Sequence, residues 1–504
     1  MKQYYITTPI YYANDKPHIG HAYTTIGADI MRRWHTLCGH RSFLLTGTDE
    51  HGSKVARAAR EAGREPQEFL NEMVVSFKKL WPALEIQIDD FIRTTDTRHR
   101  QGVQAFFSML HDNGDIYKGH YTGPYCVPCE TFFTEQQITD GKCPDCGRPV
   151  ELLKEESYFF RLSKYQDFLL DWYRMHPEFL QPKERAPEII RFVESGLRDL
   201  SVSRTRVSWG IPVPFDKGHT VYVWFDALLN YITAAGYGTD QDRWKLLWPA
   251  DVHFVGKEIF KFHAVMWPAM LRSAGLAIPK TVFAHGWWTV EGQKMSKSLG
   301  NVIDPVAVSK TYSVDAFRYF LFREIPFGGD GNFSHEAFNR RYNAELANDL
   351  GNLFSRTLAM TEKYCDGMIP PRGQLDGAFA DEIARLVSVV ADYFSAVDIY
   401  QALIHTWKIV EKANQYIELK APWKKTHADA YRSHVLYSLI WVLDILSVLV
   451  YPVMPHTAEC MNDRLGAQKS VPEKAISLLR TPQDHAPQRG KRIHKGNALF
   501  PRIN

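Results

Sequence analysis

The amino-acid sequence predicts an α/β protein with a doubly wound parallel sheet in its first two thirds and an all-α bundle in its last third. Three observations carry that reading: a β-branched and aromatic run followed by a helical stripe at the N-terminus, a second such pair directly after it, and helical periodicity from about Asn343 almost to the end. Two cysteine knuckles interrupt the first pattern between Tyr117 and Val202.

Tyr4 to Thr8 reads as a buried strand and Pro9 to Lys16 as an irregular loop. Ile19, Ala22, Ile26, Ile30, Trp34 and Leu37 then recur at steps of three and four, the apolar stripe of a helix. Asn14 or Asp15 suits its N-cap, Pro17 its first turn and Gly39 its end. Pro17-His18-Ile19-Gly20-His21 thus opens a helix straight after the first strand, where backbone N–H groups and the helix dipole favour a phosphate. Gly20 leaves room for a flat ring, and His18 and His21 share a face from which both can donate to phosphate oxygens. Alone, the stretch reads more readily as a helix start with two solvated histidines, and only a second signal elsewhere in the chain gives it weight.

A second signal stands far along the chain. Lys294-Met295-Ser296-Lys297-Ser298 lies between Gly292 and Gly300, a loop expected to be mobile. Two lysines there can close over a triphosphate and stabilise charge moving onto departing pyrophosphate. Here the sequence resembles the class I aminoacyl-tRNA synthetases, whose signature peptides read HIGH and KMSKS; both stand letter for letter. The resemblance implies a Rossmann-type catalytic domain and ATP as substrate, its triphosphate screened by Mg²⁺. It makes His18, Gly20, His21, Lys294, Met295, Ser296 and Lys297 the ATP-binding residues, with His18, His21, Lys294 and Lys297 catalytic.

Ser42 to Thr46 is the second strand and runs into Asp49-Glu50-His51-Gly52. In an open parallel sheet ligands bind at the carboxyl edge, so Asp49 faces the same crevice as the histidines and can hold an ammonium group; an aspartate at a strand end is also a common turn former. Methionyl-tRNA synthetases carry an aspartate here that binds the amino group of the substrate, and the resemblance narrows to them. Helical patterns follow from Ser53 to about Leu80 and from Thr97 to about Asn113.

Cys126 and Cys129, then Cys143 and Cys146, form two Cys-x-x-Cys knuckles that hold four of the seven cysteines. Four thiolates at this spacing favour one tetrahedral structural zinc, Zn²⁺, over disulfides in a cytosolic chain. The knuckle is similar to that in the insertion splitting the nucleotide-binding fold of this family. With room only for the knuckle and a few helices or strands, the insertion is too small for a large editing domain.

The sheet pattern resumes near Val207, with Val221 to Ala227 entering a helix and Val252 to Val255 forming a strand. Trp224, Ala227, Leu228 and Tyr231 share a helix face, and core packing is the ordinary fate of such residues. By resemblance, Trp224, Ala227, Tyr231, Ile259 and His263 match the family's methionine pocket, with Ile10 and Tyr12 its floor; Leu228 departs from a common form that has proline. An apolar, aromatic pocket suits an unbranched thioether.

A net charge of +3 falls below the excess that announces nucleic-acid binding by itself, so any RNA contact must come from local patches. Asp444 interrupts the apolar run Val435 to Met454, which reads as a buried bundle helix in preference to a membrane span. Helices are expected at 344–364, 380–397, 400–418 and 429–450. Asn352 and Arg356 sit four apart on one face, and Trp423 stands among Lys420, Lys424 and Lys425: a stacking surface with charge for phosphates, or a packed helix-start anchor. The family match makes Asn352, Arg356 and Trp423 the reader of the CAU anticodon.

The resulting expectation is a methionine–tRNA ligase that uses ATP, L-methionine and both initiator and elongator tRNA(Met), a cytoplasmic monomer without membrane contact. Its expected domains are 1–116 and 203–285 (catalytic halves), 117–202 (knuckle insertion), 286–342 (KMSKS loop and linker) and 343–504 (anticodon-binding bundle). Two alternatives are a nucleotidylyltransferase acting on a small molecule without tRNA, against which the helical domain speaks, and a non-catalytic zinc RNA-binding protein, against which the two intact motifs speak. No side chain stands out as a general base for transfer to tRNA.

Overall fold

The computed structural model describes residues 3–14, 17–127, 131–133, 135, 138, 140–144, 146–294, 303–371, 375–487 and 491–503. Its centre is a six-stranded sheet built on β1 (Gln3–Tyr12), β2 (Arg41–Asp49) and β3 (Asp90–Arg93). The order is β3, β2, β1, Val252–Gly256, Thr281–His285 and Leu180–Gln181, with every neighbour parallel. From β1 the chain builds outward to β3 and later returns to build the other way. The strand order therefore reverses between β1 and Val252–Gly256, and in open α/β sheets the ligand crevice lies at the carboxyl edge of such a reversal.

β1 is longer than the sequence pattern suggests. Pro9 cannot donate to a ladder, yet the strand runs on to Tyr12, because the register with β2 shifts between Thr7 and Ile10. α1 (Ile19–Leu37) follows and ends at Cys38, with Gly39 at φ 84°. Its N-cap is His18, not Asn14 or Asp15. The stretch from Ser53 onward is two helices, Ser53–Glu61 and Pro66–Ala83, because Gly63 (φ 66°) and Pro66 end one and start the next.

The insertion is an antiparallel pair, Ile116–Cys126 with Glu151–Phe160, whose far end carries the cysteines. Leu180–Gln181, also between 117 and 202, pairs with Thr281–His285 at the sheet edge. Beyond the linking helix Val314–Arg323, the bundle has helices at Asn352–Cys365, Gly377–Ser395, Ile399–Lys420, Asp429–Val450, Pro455–Arg464 and Val471–Arg480. Asp429–Val450 is long and apolar enough to cross a membrane, but 89% of its most apolar window is buried in the bundle.

One apolar core runs from the sheet through α1 into this bundle, and Trp34 of α1 stacks on Phe394 at 4.6 Å. Arg318, fully buried in the linking helix, pins the joint: its guanidinium donates to Asp29 of α1 (2.7 Å) and to the carbonyls of Leu84, Pro452 and Val453 (3.2, 3.0 and 2.8 Å). A buried guanidinium persists only when its donors are met in this way.

Candidate active site

The crevice is framed first by the start of α1. The Gly20 N–H donates to His18 Nδ1 (3.1 Å) and the His18 N–H to His21 Nδ1 (3.0 Å), a capping box made of two histidines. A nitrogen that accepts carries no proton, so each neutral ring holds its hydrogen on Nε2. Burial pushes the His21 pKa well below its usual range, and the neighbouring His18 adds to this. Burial also lowers His18, against the upward pull of the Glu258 carboxylate. With ring centroids 4.0 Å apart, the pair forms two neutral N–H donors at a helix N-terminus. Gly20 is needed locally, since a Cβ there would lie 2.9 Å from the His18 ring.

On the other side of the strand reversal lie the residues expected to hold an amino acid. Tyr12 and Asp49 are register partners at the ends of β1 and β2, and Asp49 is buried. Trp224 and Ala227 lie on the helix Val223–Leu228, and Trp224 stacks on Phe262 at 4.0 Å, nearly parallel. The His263 Nδ1–H donates to the Ile259 carbonyl (3.0 Å), which leaves Nε2 to accept from the Tyr231 hydroxyl (2.7 Å). Burial lowers the His263 pKa to about 4, so the ring stays neutral at pH 7. Ile10, Tyr12, Trp224 and Ile259 pack as half-buried apolar groups against the core that holds Tyr231. The fold thus packs apolar groups from three stretches of chain, 10–12, 224–231 and 259–263, against one core, with Asp49 paired to Tyr12 on the neighbouring strand.

Two further groups in this region have no local sequence signal. Glu258 accepts from the Trp287 indole N–H (2.6 Å) and acts electrostatically on His18. Asp226, with no exposed surface, accepts from His51 Nδ1–H (2.6 Å) and His99 Nε2–H (2.7 Å), contacts spanning 175 and 127 residues of chain.

The KMSKS stretch begins on a strand. Trp288–Val290 and Gln293–Lys294 form a hairpin whose two turn residues, Glu291 and Gly292, both have positive φ, the twist a two-residue hairpin requires. This fixes the backbone of Lys294. Met295, Ser296 and Lys297 lie outside the described residues, as does Cys129 in the knuckle.

Of the knuckle, Cys126, Cys143 and Cys146 have sulfurs within 4.8 Å of one another, Cys126 and Cys146 at 3.5 Å. A tetrahedral Zn²⁺ at about 2.3 Å from each sulfur needs an S···S edge of about 3.8 Å. The donor set fits. The turn Cys143–Gly147 is closed by the Gly147 N–H on the Cys143 carbonyl (2.8 Å), with Gly147 at φ 70°.

In the bundle, Arg356 holds Glu418 at 2.7 Å and lays its guanidinium 5.4 Å from the centre of the Trp423 ring. Trp423 is 39% exposed, and Asn352 is exposed one turn before Arg356. Lys424 and Lys425 are exposed, whereas Lys420 is tied to Asp376 at 2.7 Å.

Residues 4–151 and 146–358 match the model of the family described as tRNA synthetases class I (M), and 376–492 match the anticodon-binding domain of tRNA ligase. The methionine–tRNA ligase of Caldanaerobacter subterraneus subsp. tengcongensis is 50% identical across all of this chain and 79% of that protein. The chain belongs to the methionyl-tRNA synthetase family. The methionine–tRNA ligase of Rickettsia felis is 46% identical, with 99% of this chain and 98% of that one aligned. Among solved structures, the Mycobacterium tuberculosis methionyl-tRNA synthetase in complex with methionyl-adenylate superposes with a TM-score of 0.94 at 41% identity over the full length of both chains. As a member of this family, the protein is a class I ligase whose parallel sheet precedes a helical anticodon-binding domain.

Proposed function

We propose that the protein activates L-methionine with ATP and transfers it to tRNA(Met), initiator and elongator alike. The observation that supports this reading is the pair of neutral histidines at the helix start beside the strand reversal, with Tyr12 and Asp49 register partners at the ends of the two adjoining strands. A methionine carboxylate oxygen attacks the α-phosphorus of ATP in line, the bond to the bridging oxygen breaks, and pyrophosphate leaves with its electron pair. A ribose hydroxyl of the terminal tRNA adenosine then attacks the adenylate carbonyl, and AMP departs.

In this reading the Nε2–H groups of His18 and His21 donate to phosphate oxygens, while Gly20 leaves space for the adenine ring. Neutral donors gain strength in a dry site without the desolvation cost of two charges. The triphosphate enters as its Mg²⁺ complex, which lowers the charge the protein must meet. Lys294 and Lys297, with Met295 and Ser296 between them, close over the pyrophosphate. Asp49 takes the ammonium group of methionine. The side chain lies among Ile10, Tyr12, Trp224, Ala227, Tyr231, Ile259 and His263. Because the Tyr231 hydroxyl donates to His263 Nε2, its oxygen offers lone pairs only, and a thioether meets the ring face of Tyr231 and not its O–H.

Asn352, Arg356 and Trp423 read the anticodon, and residues 117–202 form the zinc-bearing insertion between catalytic halves 1–116 and 203–285, with 286–342 linking to the bundle at 343–504. Cys129 completes the thiolate set, and metal analysis should find about one zinc per chain. Four protein ligands leave no open position, so the zinc would hold the insertion together and take no part in the reaction. Light scattering reads the expected monomer, and cell fractionation the expected cytoplasmic location.

The deciding experiment is amino-acid-dependent ATP–pyrophosphate exchange with all twenty amino acids and no tRNA. Exchange with methionine far above the others is expected. No exchange with any amino acid would remove the chemistry and leave an RNA-binding protein.

A further inference from the structure

Asp226 is a fully buried carboxylate near the crevice, and the reaction as written does not use it. It lies on the helix Val223–Leu228, between Trp224 and Ala227. One oxygen accepts from His51, two residues past Asp49 on the loop leaving β2. The other accepts from His99, in the first turn of the helix Thr97–Asp112, and the second nitrogen of His99 bonds the Thr233 hydroxyl at 2.8 Å. Thr233 shares the helix Asn230–Ala234 with Tyr231. The His51 loop is held from its far side too: the Trp209 indole N–H donates to the Glu50 carbonyl (2.6 Å) and the Gly52 N–H to the Trp209 carbonyl (3.0 Å). Burial by itself would raise the Asp226 carboxyl, but His51 and His99 outweigh it and hold it at about 2.

We propose that Asp226, through His51, is a positioning clamp that sets the distance between the two walls of the methionine pocket: the loop carrying Asp49 and the helix carrying Trp224 and Ala227. The two arms differ in what they reach. His51 lies two residues from Asp49, the group proposed to take the substrate ammonium; His99 ties the carboxylate to the helices Thr97–Asp112 and Asn230–Ala234. The amino acid is gripped at both ends, ammonium and side chain, so a change in that spacing weakens methionine and leaves ATP, held at the start of α1, largely untouched. This rests on the methionine pocket assigned above.

The geometry supplies a discriminating pair of variants. An asparagine amide nitrogen overlays the imidazole Nδ1, whereas a glutamine amide overlays Nε2. His51→Asn therefore keeps the donor to Asp226 and His51→Gln loses it, at similar polarity. In ATP–pyrophosphate exchange on the full chain, His51→Gln is expected to raise the KM for methionine about tenfold, the effect of one lost charge-assisted bond in part, with the KM for ATP within about twofold. His51→Asn should restore the methionine KM to within about threefold of wild type. Equal rises in both KM values, an unchanged methionine KM in His51→Gln, or an asparagine variant as impaired as the glutamine one would each overturn the clamp. Thermal unfolding of both variants checks folding, and His99→Gln, whose amide keeps the Nε2 donor, is the variant expected to leave the methionine KM unchanged if either His51 protein fails to fold. If His99→Gln raised the methionine KM as much as loss of the His51 bond is expected to, the clamp as drawn would be wrong. Absence of methionine-dependent exchange in the wild type would instead sink the ligase reading itself.

Discussion

The start of α1 and the Arg356–Trp423 patch of the bundle, the two places proposed to meet ATP and tRNA, hold their polar groups by different means. At the start of α1 the polar groups are half-buried, neutral and locked by backbone hydrogen bonds, as in the histidine capping box. At the Arg356–Trp423 patch of the bundle the ring is exposed and the guanidinium half-exposed, charged and held by an ion pair and a ring face. The contrast follows from the tasks assigned to them. Stabilising charge that develops during a reaction needs dipoles fixed in advance in a dry site. Reading unstacked bases needs a flat surface and a charge that water reaches. Damage at the first should therefore fall on chemistry and at the second on tRNA recognition, and each of the following measurements tries to break that separation.

The largest effect is expected from His21→Asn. Its Oδ1 stands where Nδ1 was and still accepts the His18 N–H, so the helix start survives while the outward Nε2–H donor is gone. Loss of one preorganised donor typically costs about 10²- to 10³-fold in rate. The exchange kcat should fall by that factor with tRNA binding unchanged; a fall below about tenfold would mean that His21 is structural.

Next is acid sensitivity. The histidines whose pKa is pushed down, His18, His21, His253, His263 and His285, all lie in the catalytic part of the described chain. A histidine buried neutral binds fewer protons folded than unfolded, so its contribution is complete above the unfolded pKa and is lost as pH falls toward the folded one. For His263 that window runs from 6.5 down to about 4. The integrated loss is about 3 kcal/mol. His263→Gln, which keeps an acceptor for Tyr231, should flatten the pH dependence of unfolding free energy by that amount between pH 7 and 4, read by denaturant titration. An unchanged slope would show that the ring protonates without cost.

Trp423→Ala comes third. Stacking on an aromatic face is worth about 1–3 kcal/mol per base, so kcat/KM for tRNA should fall about 10- to 100-fold while exchange without tRNA stays within about twofold. A fall in exchange would show that the bundle reports back to the crevice, for which the buried Arg318 joint offers a route.

How far these features could be read in advance depended on whether their signals were local. The strands, α1 and the bundle helices show as periodicity, and the two signature peptides as consecutive letters. Capping preferences point to Asn or Asp at the start of α1, whereas a histidine side chain takes that place. The extension of β1 through Pro9 depends on a register shift in a partner strand more than thirty residues away. Asp226 with its two histidines, and Arg318 with its four acceptors, unite segments over a hundred residues apart. No spacing rule reaches across that distance; only the completed sheet brings them together.

The smallest effect should come from Glu418→Gln, and it tests the comparison most finely. The Arg356–Glu418 pair is half exposed, with side-chain exposures of 33% and 59%. Exposed pairs contribute about 0–1 kcal/mol, so the unfolding midpoint should barely move. For tRNA two consequences oppose each other. Removing the carboxylate frees the Arg356 guanidinium to wander from the Trp423 ring, which costs preorganisation; it also removes a negative charge from a surface proposed to meet phosphates, which helps. With both present, the KM for tRNA should change by less than about threefold at physiological salt, and the variant should bind relatively better as salt is lowered, because the charge effect is the one that screening controls. A loss of an order of magnitude at every salt concentration would mean that the pair is a rigid part of the reading surface. The bundle patch would then be built on the same terms as the start of α1.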